Sequence, residues 1–424
     1  MNIMVIGSGA REHVLAWKLK QDEDLIKKLF TIPGNAGTAQ ISISHDIAVD
    51  DFHRIALVTI DHNIEMVVVG PEVPLVNGLR EFFRKDSRLD TVHFIGPDQA
   101  GARLEGSKRF AKDFMRRHHI PTAESIAIVA ANLDEGIAFL RERTPPYVLK
   151  ADGLAAGKGV VISQTLKEAE TELRAMLGGK FGEAGTTVVI EEFLDGEEVS
   201  FFILTDGNHY KMLPNAKDYK RIGEGHTGAN TGGMGAISPV PFVNDAFSKK
   251  VEERIIKPTV IGLQAEGVVY KGFLYFGLMN VDGNPFLIEY NCRMGDPEAA
   301  VVIPRIKSSL TDLFEGVSIG DLHKRDMVID ERAAATVVLA SKGYPETYET
   351  GKAITGFDKL PPEALVFHAG TKLERETHQV LTSGGRVLAV GAFGTNVAEA
   401  LEHAYSYIPQ IHFEGKYFRR DIGS

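Results

Sequence analysis

The sequence is poor in the residues that staple or anchor a chain. It holds one cysteine, Cys292, so no internal disulfide can form. That usage suits a reducing compartment. Nowhere does an apolar run approach the roughly 20 residues that a membrane-spanning helix needs. Residues 1–7 lead directly into a strand pattern, without the basic start and small-residue cleavage site of a secretory signal. These absences predict a cytoplasmic protein with no membrane contact. A formal net charge of −10 argues against a nucleic-acid-binding face, while leaving room for a small anionic substrate held by a few local cations.

Several catalytic signatures are missing as well. There is no H-E-x-x-H pair and no nucleophile elbow. The histidines are scattered, which predicts no histidine-based metal chemistry. Gly7-Ser8-Gly9-Ala10-Arg11-Glu12 opens like a dinucleotide fingerprint, but Glu12 stands where the third glycine belongs. At the end of the second strand, Pro33-Gly34-Asn35 replaces the expected acidic residue. A nicotinamide cofactor is therefore disfavoured. Neither Gly157-Lys158-Gly159 nor Glu105-Gly106-Ser107-Lys108 has the Walker spacing.

What is present is an ordinary globular composition. The 424 residues are 44% hydrophobic and 25% charged, enough for two to four domains. Short apolar strands at 3–6, 29–32, 66–69 and 92–95 alternate with helical stretches, which predicts a doubly wound parallel sheet. Ligands of such sheets sit beyond the carboxyl ends of the strands. Those ends carry Gly7-Ser8-Gly9, Pro33-Gly34-Asn35-Ala36-Gly37 and Gly70-Pro71-Glu72. A helix over 107–118 leads into a smaller α/β segment, about 122–195. Strands and one long helix, about 247–266, follow. From about 330, β-branched residues and glycine predict a separate α+β unit. The fold class is thus multidomain α/β and α+β, divided as 1–103, 104–328 and 329–424.

Six constellations carry candidate chemistry. Glu289 and Asn291 end an apolar run, and alternate strand residues share a face, so both aim hard oxygen ligands at one point. Mg²⁺ favours such ligands, completing its shell with phosphate and water. Lys150 and Lys158 flank the small-residue loop through Gly153, Gly157 and Gly159, where backbone N–H groups can approach phosphate. Glu191-Glu192-Phe193-Leu194-Asp195-Gly196-Glu197-Glu198 takes a strand into an acidic turn, suited to a purine edge and ribose hydroxyls or to solvent alone. Asn230-Thr231-Gly232-Gly233-Met234-Gly235 forms a glycine-rich anion nest or a plain mobile loop, just after Asp218-Tyr219-Lys220-Arg221. Arg293 and Asp296 can orient a zwitterion or pair internally. A helix N-terminus at Gly9 can bind phosphate, with Arg11 as a forked partner; a tight glycine turn explains that motif equally well.

In order, GSGAREH (7–13), PGNAGT (33–38), VGPEVPLV (69–76), LEGSKRFAKDFM (104–115), KADGLAAGKGV (150–160), EEFLDGEE (191–198), NTGGMGA (230–236), IEYNCRMGDPE (288–298), HAGTK (368–372) and SGGRVLAV (383–390) resemble the ATP-grasp ligases. Within them the chain is similar, over essentially its whole length, to the phosphoribosylamine–glycine ligase family. The resemblance implies an N-terminal α/β domain, an ATP-grasp module with a small lid at 122–195, and a closing C-terminal domain. It implies joining of glycine to 5-phosphoribosylamine at the expense of ATP, with Mg²⁺ or Mn²⁺, by a monomer or weak dimer. Lys108, Lys150, Gly157, Lys158, Gly159, Glu191, Glu192, Phe193, Leu194 and Glu198 are then expected at ATP, and Glu289 and Asn291 at the metal. Asp218, Arg293 and Asp296 are the expected catalytic group. Asp218, Gly232, Gly233, Met234, Gly235, Arg293, Gly295 and Asp296 would meet substrate, and Gly9, Arg11, Glu12, Asn35, Gly37, Pro71 and Glu72 the phosphoribosyl group. Three positions depart from the family pattern: Lys217, Ala229 and Met294. The nearest rivals are another ATP-grasp carboxylate–amine ligase or carboxylase of nucleotide metabolism, and a non-catalytic nucleotide-binding module.

Overall fold

A computed structural model describes residues 1–154, 159–374 and 376–424. The N-terminal strands form a five-stranded parallel sheet. Its spatial order is Ile43–Ser44, Lys28–Pro33, Asn2–Gly7, Met66–Val69, His93–Ile95. Ile3, Met4, Val5 and Ile6 are all fully buried, as expected of a parallel strand covered on both faces. One face packs on Phe201, Phe276 and Leu287 of the central half of the chain; the other packs on Phe314 and on Phe367 of the C-terminal part. The N-terminal sheet is therefore clamped between later segments of the chain.

The small subdomain has its own core. Antiparallel strands run in the order Ser125–Val129, Thr187–Glu191, Tyr147–Ala151, Val160–Ser163. Helices Leu133–Arg141 and Leu166–Ala175 supply Ile137, Leu140, Ala169 and Leu173 to that core. Thr165 caps the second helix, accepting from Glu168 N at 3.2 Å while the Glu168 carboxylate takes Thr165 N, a reciprocal box.

The larger half is an antiparallel sheet ordered Tyr210–Met212, Glu197–Thr205, Gly272–Val281, Asn284–Asn291. Its pairing slips at one point. Gly277 faces Glu289 whereas Leu278 faces Leu287, leaving Ile288 as an extra, bulged residue.

Two expectations need correction. The segment before the C-terminal unit holds more helix than one long stretch: Leu310–Ile319 is a second helix. Ser309 caps it, accepting from Asp312 N at 3.0 Å, and Leu310, Leu313, Phe314 and Val317 bury one stripe. Nor is the C-terminal unit separate. Its sheet runs Lys217–Asp218, Gly235–Ser238, Ala333–Ser341, Arg386–Gly394, Leu365–His368, so its first two strands come from the middle of the chain. Helix Val397–Tyr407 covers one face through Ala400, Ala404 and Tyr407.

Candidate active site

A cleft of about 790 Å³ opens between the small sheet and the larger one. Val148 and Ile162 are cross-strand partners, as are Lys150 and Val160, so all four present one face of the small sheet. Across the gap stand Met279 and Ile288. These apolar walls suit a flat ring. The bulge matters here: Ile288 and Glu289 are sequence neighbours, yet both line the cleft, as does Asn291. An uninterrupted strand would turn one of the first two away.

At the apolar end lies Glu191, which is 5% exposed. Its Oε2 accepts from Lys150 Nζ at 2.9 Å and from Lys112 Nζ at 3.1 Å. Burial opposes its ionisation, but the two ammonium groups outweigh burial and hold the carboxyl below the usual range. Lys112 suffers the same burial, which pushes it down to about 8. The Glu191 Oε1 atom has no hydrogen-bond partner among the described residues. Glu198 pairs with Lys220 at 2.7 Å. Glu192, Phe193 and Leu194 also line this end.

The opposite end is acidic. Asp218 is raised well above the ordinary carboxyl range by burial and by the neighbouring Glu298, and its Oδ1 is likewise without a partner. Glu298 is raised by burial too; its Oε1 accepts from Ser200 at 3.1 Å. Gly233 adopts a φ of +115°, and a Cβ there would meet Asp218 Oδ1 at 2.5 Å, so the glycine lets the loop close over that carboxyl. Two buried acceptor oxygens with no protein donor are the mark of a site that takes a ligand.

Glu289, Asn291 and Glu298 give this cleft a hard oxygen donor set; Cys292, next to Asn291 in sequence, is buried and turns its Sγ to Glu105 instead of lining the cleft. That chemistry fits a Mg²⁺-like ion.

Not every expected residue reaches the cleft. Arg293, Gly295, Asp296 and Gly232 line it, but Arg293 is forked between Glu72 at 3.3 Å and Glu105 at 2.6 Å. Asp296 is held by Arg386 at 3.2 Å. Internal pairing thus occupies both groups. Met234 is fully buried in the C-terminal core, and Gly235 pairs with Val337 in the sheet. Among the described residues Lys108 Nζ donates to Gly153 O alone, at 3.4 Å, and Gly159 O accepts from Ala151 N at 2.8 Å. Gly157 and Lys158 lie outside the described residues.

The N-terminal loops are committed to structure. Glu12 is 2% exposed; it takes Gly9 N at 2.6 Å and Arg11 Nε at 2.7 Å. A Cβ on Gly70 would meet Glu12 Oε1 at 2.2 Å, which explains the glycine there. Arg11 also donates to Met294 O at 3.1 Å. Asn35 donates to Ser8 O and His368 O at 2.9 and 2.7 Å and accepts from Gly37 N at 2.9 Å. Pro71 is the N-cap of the short helix Glu72–Val76.

Sequence reading missed Lys112, Glu298, the bulge at Ile288 and Tyr275, which lines the cleft and whose hydroxyl accepts from Ser200 Oγ at 3.1 Å. For Lys112 a signal existed: it follows Lys108 by one turn of an amphipathic helix and adjoins the buried Ala111, Phe114 and Met115.

Family models for the N, ATP-grasp and C domains of phosphoribosylglycinamide synthetase match residues 1–105, 106–299 and 334–424. Among curated relatives, phosphoribosylamine–glycine ligase of Salmonella typhi is 48% identical, covering 100% of this chain and 98% of its own. The enzyme of that name from Escherichia coli strain K12 is 47% identical with the same coverage. A crystal structure of phosphoribosylamine–glycine ligase from Thermotoga maritima superposes with a TM-score of 0.85 at 36% identity, covering 99% of this chain and 100% of that one.

Proposed function

Because the chain belongs to the phosphoribosylglycinamide synthetase family, we propose a division of labour within its cleft for that family's reaction. The protein is an ATP-grasp carbon–nitrogen ligase. It joins glycine to 5-phosphoribosylamine, forming glycinamide ribonucleotide, ADP and phosphate in purine synthesis. It uses ATP and a divalent metal.

A carboxylate is a poor electrophile, since amine attack would have to expel an oxide. Transfer of the γ-phosphate to glycine gives glycyl phosphate, which has a good leaving group. Val148, Val160, Ile162, Met279 and Ile288 sandwich the adenine, and Glu191 Oε1 accepts from its amino group. Lys150 lies along the nucleotide's phosphates, and Lys158 is assigned to the same role from its motif. Glu289 and Asn291 would hold Mg²⁺ or Mn²⁺. Bound there, the ion supplies charge neutralisation for the transferring phosphoryl group. Asp218, whose proton affinity is raised by burial beside Glu298, accepts the proton that the attacking amine loses. Arg293 and Asp296, already paired with protein groups, shape the substrate end. Glycyl phosphate hydrolyses readily, so the small subdomain, with its own core, is assigned the task of closing over it. The reducing-compartment reading of Cys292, which is buried, favours the cytoplasm.

The observation that carries this reading is the placement of two buried carboxyl oxygens without a hydrogen-bond partner among the described residues, Glu191 Oε1 and Asp218 Oδ1, on residues lining the same cleft as Glu289 and Asn291. Coupled ADP release with glycine and freshly generated 5-phosphoribosylamine tests it. Turnover should require both substrates and a divalent ion. ADP release that is independent of glycine, or supported equally by other carboxylates, would overturn the assignment.

A further inference from the structure

The fold brings together three metal-ligating side chains far from this cleft. Asp206 and His209 lie in the turn between strands Glu197–Thr205 and Tyr210–Met212. His323 belongs to the short turn Leu322–Lys324, on the path from the larger half to the C-terminal sheet. One donor atom from each residue lies within 4.8 Å of the other two. We propose that Asp206, His209 and His323 form a binding site for a transition-metal dication of the Zn²⁺ class.

Four observations carry the argument. The first is spacing. Asp206 Oδ2 and His209 Nδ1 are 3.2 Å apart. Bonds of about 2.0–2.2 Å in a tetrahedral zinc site set adjacent donors roughly 3.3–3.6 Å apart, just above that spacing. The second is a built support for the carboxylate. The Asp206 side chain is fully buried, and its Oδ1 accepts from Asn208 N at 2.8 Å and His209 N at 2.7 Å. Its Oδ2 takes Leu322 N at 3.2 Å, and Leu322 itself is fully buried. Backbone donors thus orient the anion, as outer partners do at metal sites. The third is access: both imidazoles are exposed, with their ring centroids 4.2 Å apart, so an ion enters without opening the fold.

The fourth is donor chemistry. Two imidazole nitrogens and one carboxylate oxygen select Zn²⁺, Co²⁺ or Ni²⁺ over Mg²⁺, the reverse of the Glu289–Asn291 preference. The two sites are also distant. Glu198 lines the cleft at one end of strand Glu197–Thr205 and Asp206 follows its other end, roughly 25 Å away at the rise of an extended strand. Three protein ligands leave one position for water. The ion ties the Asp206–His209 turn to the segment that leads into the C-terminal sheet, so its effect is on stability rather than on ligation chemistry.

The test uses the full chain, stripped with a chelator and titrated with Zn²⁺, then with Co²⁺, in saturating Mg²⁺. The expected result is one equivalent of Zn²⁺ bound, a visible Co²⁺ absorption of nitrogen–oxygen coordination, and a thermal midpoint that rises with Zn²⁺. His209→Ala and His323→Ala should each weaken binding at least about tenfold and abolish the thermal shift. ADP release with Mg²⁺ should stay within about twofold of the parent. His323→Gln serves as a second variant, since its side chain is exposed and its loss leaves the turn's backbone bonds intact. Absence of Zn²⁺ binding by the parent, or equal affinity and stoichiometry in a His209→Ala/His323→Ala double variant, would overturn the proposal.

Discussion

Arg386, on strand Arg386–Gly394, lies 3.2 Å from the carboxylate of Asp296. The same guanidinium donates to Asp296 O at 2.7 Å and to Gly232 O at 2.6 Å. One C-terminal side chain therefore fixes two substrate-end loops that come from different parts of the chain.

Replacing Arg386 with alanine should leave ATP binding largely intact while the loops lose their register. Misplacement by an ångström costs on the order of 100-fold in rate. We expect kcat/KM for glycine to fall by about that factor, with KM for ATP changed less than about threefold. Steady-state kinetics with each substrate varied in turn will check the split.

Glu289→Gln keeps the shape of the side chain but removes its charge. Turnover should drop roughly 100-fold or more, and raised Mg²⁺ should recover part of it. Circular dichroism should be unchanged. Near-normal rates at limiting Mg²⁺ would mean that Glu289 is no metal ligand.

Lys112 makes ATP use sensitive to alkali. Burial holds it at about 8, so the folded protein sheds this proton before the unfolded chain does. Its contribution to stability accordingly rises between about pH 8 and the ordinary lysine range. The same deprotonation leaves Glu191, among the described residues, with Lys150 as its ion-pair partner. KM for ATP should increase as pH climbs through about 8, and Lys112→Met should show the high-KM behaviour at all pH values. It should also lose on the order of 3 kcal/mol of stability at neutral pH, as breaking a buried ion pair does.

Acid should loosen the clamp on the N-terminal sheet. His13 Nδ1 accepts from His368 N at 2.8 Å, and burial lowers the two imidazoles to about 3 and about 4. Both are neutral when folded, whereas the unfolded chain takes up protons below about pH 6.5. Stability is thus complete above about pH 6.5 and is lost as pH falls toward 4, by on the order of 3 kcal/mol for His368 alone. Urea midpoints measured from about pH 7 to 4.5 should fall, and less steeply in His368→Asn.

Local signals were readable from the amino acids; remote pairings were not. The glycines after the N-terminal strands, the run Met66–Val69 and the helix Val397–Tyr407 follow from patterns within a few residues. So did the shared direction of Glu289 and Asn291, although the bulge that brings Ile288 beside them leaves no mark in hydrophobic alternation. Gly235–Ser238 is four small or medium residues, and nothing local says that its partner is Ala333–Ser341. His209 and His323 looked scattered because only the folded chain makes them neighbours. Glu12 looked like a broken fingerprint; in space it is the plug that Gly9 and Gly70 accommodate.

The shared C-terminal sheet also bears on how the gene can be cut. A fragment stopped before residue 330 would keep Gly235–Ser238 but strip its neighbour, baring a row of unpaired amides and carbonyls. Such an edge recruits any passing strand. Truncation designed by counting domains along the chain would therefore yield aggregate, whereas cutting out the four-stranded subdomain with its private core would, among the described residues, break no strand pair of another sheet beyond the single bridge Thr122–Leu287.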